Sequence, residues 1–527
     1  MRRAYAVAVV LVLVLAGLGG AAIALASSRP SLVADSQALA RVNLPLGGGR
    51  IDSVSVSTGA NSSLVAVTLK GQAIWPLQKI PAGRQLSIEV VVRRPSWNSW
   101  LVGKTERLRL TLRAPTAHLL QRFMTLRSGE PLRLKFGEPV AAISYGPAGA
   151  LHAHPLTPPT SVVTLDRTST AGSMWIAAAP RSWETSNPTL VTWFPAGAGA
   201  SAVASPAPGS TITPGTPITL TFSKSVQQAL GHFRPPVLPI TRGSWQQTST
   251  HTIVFRPEGL GYGLGARVTV GLPSGVHLVG GQPSSGGDPG NWLVPRGSTL
   301  RLHQLLAMLG YLPLHFTLNA GANVPLTLQA QEAAAAQPPA GNFSWAYPNV
   351  PDTLRQFWSP NAAGVITRGA LMAFQNDNGL TADGVAGPDV WRALIKAVVN
   401  GQGSRSGYTF VSVKESNQRL SLWHNGQTIL TTPVNTGIAS APTATGTYPV
   451  FLHISSGTMS GTNPDGSHYH DQGIPWISYF NGGDALHGFI RASYGSPQSL
   501  GCVEMPFSTA GKVWPYTPIG TLVNVSN

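Results

Sequence analysis

The chain has 527 residues, more than one hydrophobic core supports, and this length predicts three to five domains. Only 11% of its residues are charged while Gly and Pro are abundant (58 and 44), which favours strand-and-turn modules over long surface helices. Basic residues outnumber acidic ones by 36 to 20, but no compact Lys/Arg cluster interleaved with aromatics is present, so nucleic acid is not an expected partner. The charge fits either attraction to an anionic cell envelope or simple solubility.

The N-terminus carries an export signal. Arg2 and Arg3 precede an uninterrupted apolar run over residues 6–26, which ends in the small-x-small sequence ALA. The run is long for a signal peptide and long enough to span a bilayer, so residues 1–27 are predicted to be either a cleaved signal peptide or a membrane anchor. Both readings place the remainder in the cell envelope or cell wall, and residues 28–50 are predicted to be a linker.

The next 250 residues alternate apolar and polar side chains with a period of two, and turn formers interrupt them regularly. We predict two β-sandwich spacers at 51–115 and 116–196, a low-complexity linker at 197–208 and a third β domain at 209–295. The third resembles the immunoglobulin-like spacer modules of bacterial surface proteins, because TLTFSKSV, Gly-Ser-Trp and FRPEGLGYG follow in that order. Tryptophans on these strands are interpreted mainly as core residues.

Beyond residue 295 the period changes from two to that of a helix. STLRLHQLLAMLGYLP places Leu302, Leu305, Leu306 and Leu309 on one face, with Ser298 or Thr299 as a cap. The sequence AFQNDNGLTADGVAGPDVWRAL resembles the three-helix peptidoglycan-binding module, which implies glycan strands as a partner. We therefore predict such a module over 296–400, interrupted by an insertion at 314–363 that could be a loop packing on a neighbouring domain.

Strand signals return at Tyr408, and the single cysteine of the chain, Cys502, follows the sequence DALHG by one short loop. An exported chain with one cysteine has no internal disulfide, so this thiol forms an intermolecular bridge, is inert, or is a nucleophile. Acyl transfer by cysteine needs an imidazole and oxyanion donors, which His487 and the Gly501–Cys502 amides could supply. The positive field of His487 would lower the thiol pKa. By spacing alone, a structural Cys and a surface His are the commoner outcome.

The sequence around Cys502 and His487 instead favours a catalytic role for both. VSVKESNQRLSLWHNGQ, PVNTG, the turn PTATGTY, YFNGGDALHGF, SLGCVEMP and IGTLVNV follow in the order found in YkuD-type L,D-transpeptidases, which residues 405–527 resemble. The resemblance implies a β-rich fold without metal or cofactor, with Cys502 as nucleophile, His487 as base and Gly501 with Cys502 as oxyanion hole. It further implies a thioester with a peptidoglycan stem peptide and transfer to an amine, giving a 3→3 cross-link, or to water, giving carboxypeptidase activity.

The predicted pocket has further members beyond the catalytic residues. The motif positions Gly488 and Ser499 are expected to shape the substrate pocket, and Trp476, Tyr479 and Phe480 to wall it. His453, His468 and His470 lie in a segment interpreted as a substrate-facing loop rather than a metal site.

Two positions depart from the family pattern. Leu500 stands where His is usual, and Glu504 stands where Arg is common, which places a carboxylate near the thiol. Three outcomes stay open: an altered activity, compensation by a nearby cation such as Arg491, or a weakened site. The fold class expected overall is multidomain and mainly β, and the alternative function is a non-catalytic, peptidoglycan-binding wall protein.

Overall fold

The computed structural model describes residues 27–45, 49–58, 63–147, 149–197, 199–280 and 290–527. The predicted signal or anchor over residues 6–26 lies outside this part of the chain. Within it, no helix is long and apolar enough to cross a membrane. The fold is mainly β and multidomain, as predicted. The chain forms two compact units, the first over Met1–Ala204, Thr221–Ala229 and Ser274–Gly280, the second over Ser205–Leu220, Leu230–Pro273 and Gly281–Asn527.

The first unit begins with two four-stranded sheets, in the orders β1-β2-β6-β5 and β4-β3-β8-β9. The elements of this region are β1 (Ser31–Ala34), β2 (Ala40–Asn43), β3 (Arg50–Thr58), β4 (Ser63–Leu64), β5 (Val67–Lys70), β6 (Ala73–Pro76), β7 (Ile80–Pro81), β8 (Gln85–Arg93), α1 (Ser96–Val102) and β9 (Thr105–Arg113). Of these, β7 and α1 lie outside the two sheets. Alternate residues of β8, from Leu86 to Val92, are fully buried, as the period of two predicts. The predicted linker 28–50 is different: it contains β1 and β2, because Leu39, Ala40 and Val42 belong to the core.

The second part of this unit is one five-stranded sheet, in the order β10-β15-β13-β11-β12. Its elements are β10 (Phe123–Leu126), β11 (Leu132–Gly146), β12 (His152–Leu165), β13 (Gly172–Ala179), β14 (Glu184–Thr185) and β15 (Thr189–Pro195). Strand β14 pairs in parallel with β7 of the first part. The predicted linker 197–208 contains a further strand, β16 (Ala200–Ser205), whose alanines and Val203 are largely buried.

Residues 218–293 contribute short elements to both units: β17 (Ile218–Phe222), α2 (Val226–Leu230), β18 (Val237–Leu238), β19 (Gly243–Gln247), β20 (Thr252–Pro257), β21 (Arg267–Val270), β22 (Val276–Val279) and β23 (Asn291–Leu293). In the first unit β16 pairs in parallel with β22. In the second, β19 and β20 form an antiparallel pair, and β21 lies between β18 and β23.

The helical module contains α3 (Thr299–Met308), β24 (Leu314–Leu318), α4 (Leu328–Ala336), β25 (Gly341–Trp345), α5 (Asp352–Gln356), α6 (Val365–Asp377) and α7 (Pro388–Asn400). Ser298 caps α3 by accepting a hydrogen bond from the Arg301 amide, and the predicted leucine face is buried. The insertion 314–363 is an antiparallel hairpin with two helices, not a loop. It packs on the module itself, where Gln331 of α4 binds the buried Arg301 guanidinium, and also on the C-terminal domain, where Tyr347 lies 5.8 Å from Trp423 between ring centroids.

The C-terminal domain contains two sheets, in the orders β28-β27-β26-β34-β29 and β30-β31-β32-β33. The elements are β26 (Thr409–Lys414), β27 (Arg419–His424), β28 (Gln427–Pro433), β29 (Gly446–Pro449), β30 (Leu452–Thr462), β31 (His468–Asn481), β32 (Asp484–Gly488), β33 (Val503–Met505), α8 (Phe507–Val513) and β34 (Leu522–Ser526), with single 3-10 turns at Glu415–Asn417 and Trp514–Tyr516. Apolar side chains of both sheets, among them Val413, Leu486 and Val523, form its core.

The helical module and the C-terminal domain share a second core. Phe374 and Trp391 of the module belong to one buried cluster with Phe410, Trp423 and Leu522 of the C-terminal domain. Helix α6 approaches the chain before β34 closely: a Cβ at Gly369 would stand 2.6 Å from the Gly520 carbonyl oxygen. The helical module and the C-terminal domain are therefore parts of one folded unit, and no flexible linker separates them in the described stretch 290–527.

Candidate active site

The site lies where two neighbouring parallel strands, β32 and β33, reach one cavity. The register pairs Leu486 with Val503 and His487 with Glu504, and Cys502 immediately precedes β33. Side chains alternate along a strand, so Cys502 and Glu504 project from the same face of the sheet as His487. All three line a cavity of about 500 Å³. The structure therefore brings together the two side chains that the sequence predicts for nucleophile and base.

His487 is held as a neutral imidazole. Its ring is 2% exposed, and its Nδ1 lies 3.0 Å from the Gly488 carbonyl oxygen. A carbonyl only accepts, so Nδ1 carries the proton and Nε2 carries the lone pair. Burial lowers the pKa of this histidine, and the Gly488 hydrogen bond and Glu504 oppose the shift without reversing it. The arrangement supplies a proton acceptor at neutral pH.

The Cys502 thiol does not have the lowered pKa that the sequence predicts. Burial raises it to about 12, and the Asp484 and Glu504 carboxylates act in the same direction. The Ala485 backbone amide opposes them, and the sulfur lies 3.6 Å from the Gly483 carbonyl oxygen. The prediction was wrong because it weighed the imidazole and omitted desolvation and the Asp484 carboxylate, whereas the effect expected of Glu504 has the direction found. At rest the sulfur is a protonated thiol.

The turn before β33 is built around Gly501 and Ser499. Gly501 has φ +114°, and a Cβ there would stand 2.4 Å from Asp484 Oδ1, so glycine is required. The buried Ser499 hydroxyl donates to the Cys502 carbonyl oxygen (2.5 Å) and accepts from the Gly501 amide (3.3 Å). Ser499 thus holds the turn instead of facing the cavity. The Gly501 amide predicted for the oxyanion hole already has this acceptor.

Glu504 is neutralised by a cation thirteen residues earlier in the chain. Arg491 Nε and Nη2 each lie 2.8 Å from a different carboxylate oxygen of Glu504, whose side chain is 5% exposed. Such a bidentate pair is the strong form of this contact. Arg491 also donates to the Gln498 carbonyl oxygen and lies 4.6 Å over the Phe489 ring. Of the three outcomes left open for the Glu504 departure, this geometry favours partial compensation by Arg491, since Glu504 still raises the thiol pKa.

One of the five residues predicted to bind substrate lines the cavity, namely Tyr479. Its neighbour Phe480 points to the opposite face of β31 and is 2% exposed in the core. Trp476, with φ +60°, packs on Trp514 at 5.3 Å between ring centroids. Gly488 is buried against Phe507 and Ala510 of α8, and Ser499 lies in the turn described above.

Sequence reasoning missed other members of the wall. Tyr469 and Asp471 of β31 line the cavity, together with Met459, Asp484, Phe489 and Leu500. The residues 468–471 were interpreted as a loop, but they are paired with β30. Tyr469 and Asp471 are an even number of positions from Tyr479, but the register of β31 shifts between Asp471 and Ile474, so simple alternation in the sequence does not predict their side of the sheet.

A cysteine and a neutral histidine that line one cavity, one directly before β33 and the other on β32, define a candidate thiol acyltransferase site. Residues 408–525 match the family model for the L,D-transpeptidase catalytic domain, YkuD, and residues 360–394 match the model for a peptidoglycan binding domain. The C-terminal domain is therefore of the L,D-transpeptidase type, and the resemblance drawn from the sequence motifs is confirmed. No curated protein matches the chain.

Several solved structures of L,D-transpeptidases are similar to the chain. The catalytic domain from E. faecium is 26% identical, with 22% of this chain and 95% of that chain covered and a TM-score of 0.21. The enzyme from Mycobacterium smegmatis is 10% identical, with 62% and 99% covered and a TM-score of 0.21. One from Mycobacterium tuberculosis H37Rv is 11% identical, with 62% and 96% covered and a TM-score of 0.20.

Proposed function

We propose that the chain is an extracytoplasmic L,D-transpeptidase that cross-links peptidoglycan stem peptides through a thioester on Cys502. The observation that carries the proposal is the presence of Cys502 and the neutral, Nδ1-protonated His487 at one cavity, inside a domain that matches the transpeptidase family model. The family model supports the class of reaction, and the shared cavity supports Cys502 and His487 as its residues.

Acylation begins with the protonated thiol. Nε2 of His487 takes the Cys502 proton as the sulfur attacks the penultimate carbonyl carbon of a tetrapeptide stem. The tetrahedral oxyanion forms beside the backbone amide of Cys502, and the Gly501 amide joins it only if it leaves Ser499 Oγ. His487 then returns the proton to the leaving nitrogen, and the terminal D-alanine departs. The sulfur is left as a thioester.

Deacylation regenerates the free thiol. A side-chain amine of a neighbouring stem attacks the thioester carbon, loses its proton to His487, and forms the 3→3 amide bond as the sulfur leaves and is reprotonated. Water in place of the amine would release a tripeptide instead. The cavity wall contains three carboxylates, those of Asp471, Asp484 and Glu504, and Arg491 balances the charge of Glu504. The other two carboxylates leave the wall negative, which attracts the amine of an approaching stem in its ammonium form.

The helical module supports the same assignment through its match to a peptidoglycan binding domain. Because it shares a core with the catalytic domain, it would present glycan strands in a fixed geometry instead of raising their concentration through a flexible linker. Substrate of this kind lies outside the cytoplasmic membrane, in agreement with the export signal in the sequence.

Intact mass spectrometry with a carbapenem tests the assignment. We expect one covalent adduct per chain, absent from Cys502→Ala, and formed at least ~100-fold more slowly by His487→Ala because general base catalysis is lost. Incubation with muropeptides then distinguishes cross-linked dimers from tripeptides. A wild-type thiol that forms no adduct and no dimer would instead support the non-catalytic wall protein, which the raised thiol pKa favours.

A further inference from the structure

The first unit presents an exposed tryptophan pair that the catalytic proposal does not use. Strands β8 and β9 form a hairpin whose connection, residues 94–104, contains helix α1 with the sequence SWNSWLV; we name this segment the tryptophan tip. Trp100 is 78% exposed, and Trp97 and Val102 are 47% and 45% exposed. Large apolar side chains are costly to leave in water, so a tip of this composition indicates a partner.

The tryptophan tip is held in a defined conformation by a salt bridge and hydrogen bonds. Arg94 forms a salt bridge with Glu106 across the hairpin and donates to the carbonyl oxygens of Val102 and Gly103. The Trp100 indole N–H donates to the Trp97 carbonyl oxygen at 2.9 Å, which satisfies its polar group internally. The outward surface of the ring is therefore apolar and held in place. Tryptophan is enriched at membrane interfaces, and an exposed apolar ring surface of this kind suits that environment.

The position of the N-terminal chain identifies the partner. Ser28 follows the apolar run 6–26 by two residues, and its hydroxyl lies 3.4 Å from the side-chain nitrogen of Asn98 in the tip helix. Both residues are nearly inaccessible to solvent. A segment apolar enough to enter a bilayer thus joins the folded chain directly at the tryptophan tip.

The net charge of this part of the chain also favours a lipid surface as the partner. Residues 27–115 contain twelve Lys and Arg against four Asp and Glu, which makes this part of the chain strongly basic. Lys104 flanks the exposed tryptophans and forms no salt bridge within the described part of the chain, whereas Arg93 and Arg94 are paired with Asp52 and Glu106. Basic side chains beside an apolar tip are attracted to anionic lipid headgroups.

We propose that the tryptophan tip docks on the surface of an anionic lipid bilayer, inserting Trp97 and Trp100 at the level of the headgroups. The inference does not depend on the transpeptidase activity. It assigns the first unit a membrane-contacting surface in addition to its role as a spacer.

Brominated lipids test the proposal with the full-length chain. Residues 6–26 contain no tryptophan, so fluorescence quenching by bromine on the acyl chains reports only on the remainder of the protein. In vesicles of phosphatidylcholine and phosphatidylglycerol, the quenched share should be close to that of two of the fourteen tryptophans. The double variant W97A/W100A should lose this quenching, while the control W245F should keep it.

Further measurements make each outcome decisive. The double variant should unfold at the wild-type temperature because both rings are exposed, which separates lost docking from lost folding. K104E should reduce quenching in the anionic vesicles only. Quenching that persists in W97A/W100A, or that is equal in pure phosphatidylcholine, would contradict the proposal. Tryptophan-dependent sedimentation with peptidoglycan sacculi, in the absence of lipid quenching, would assign the tip to glycan instead.

Discussion

At the scale of single residues, Cys502 and His487 have pKa values displaced in opposite directions by the same cause. Burial disfavours the charged form of each, so the thiol stays protonated and the imidazole stays neutral. The pair therefore rests uncharged, unlike a preformed thiolate–imidazolium pair. On the proposed mechanism, charge appears only when the substrate carbonyl is attacked.

The first prediction concerns the pH dependence of acylation. Activity requires neutral His487, whose pKa is lowered, so the rate should fall only as pH falls below about 6.5, the ordinary histidine value. The thiol pKa of about 12 produces no second limb between pH 7 and 10. Carbapenem acylation rates measured across pH 5–10 check this, and a thiolate-type rise between pH 7 and 9 would contradict it.

The second prediction concerns Glu504. Glu504→Gln removes a carboxylate that raises the thiol pKa and leaves Arg491 without its anionic partner, so the pKa should fall by roughly one unit. Alkylation by iodoacetamide at fixed pH should then be about tenfold faster. Glu415→Gln, on the same domain but outside the cavity, is the matched control and should react at the wild-type rate. An unchanged rate in Glu504→Gln would show that the carboxylate does not act on the sulfur.

The sequence names Cys502 and His487 as candidate nucleophile and base because the motifs around them are specific, and both line one cavity. It named Arg491 as a candidate counter-charge, but the bidentate geometry depends on how the chain folds between residues 491 and 504. Phe480 was misassigned because adjacent aromatics in a strand face opposite sides, and nothing in the sequence YF states which side is the cavity. The predicted lowering of the thiol pKa was wrong because desolvation depends on how the site packs, which the sequence does not state.

At the scale of elements, the turn 499–502 determines how the sulfur reaches the cavity. Gly501→Ala combines a positive φ with a close approach to Asp484, whereas Gly466 has a positive φ and open space. Each substitution should cost roughly 1–2 kcal/mol of folding free energy for the backbone, but only Gly501→Ala should abolish acylation. Thermal unfolding and carbapenem adduct formation measure the two effects. Comparable acylation in both variants would remove the turn from the mechanism.

Elements with local signals were predicted and those without were not. Helix α3 follows from its cap and leucine spacing, and the buried side of β8 from alternation. The hairpin β24–β25 of the insertion was missed, because its pairing joins segments 23 or more residues apart with weak alternation and no tight turn between them. Strands β1 and β2 were taken for a linker because each is only four residues long.

At the scale of the whole molecule, the helical module and catalytic domain meet through two glycines. Alanine in a helix interior normally stabilises by about 1 kcal/mol relative to glycine. At Gly369, however, the added Cβ would stand 2.6 Å from the Gly520 carbonyl oxygen and 2.8 Å from a Leu522 methyl carbon. Overpacking of this kind costs ~1–3 kcal/mol, so Gly369→Ala should lower the unfolding temperature.

Gly364→Ala, at the start of the same helix with its nearest contact at 3.5 Å, is the matched control. It should change the unfolding temperature less than Gly369→Ala. A stabilised Gly369→Ala protein would show that the module and the catalytic domain are not closely docked. Differential scanning calorimetry should also give one transition for both domains, since they share a core.

The protonated state of the lone thiol has a consequence for survival outside the cell. Oxidants such as peroxide attack the thiolate, and the envelope has no cytosolic reductant to reverse sulfenic acid formation. On the proposed mechanism the sulfur loses its proton only as it attacks a stem peptide, so it spends most of its lifetime in a form that peroxide attacks slowly. The burial that keeps the Cys502 thiol protonated thus also slows its oxidation when no substrate is bound.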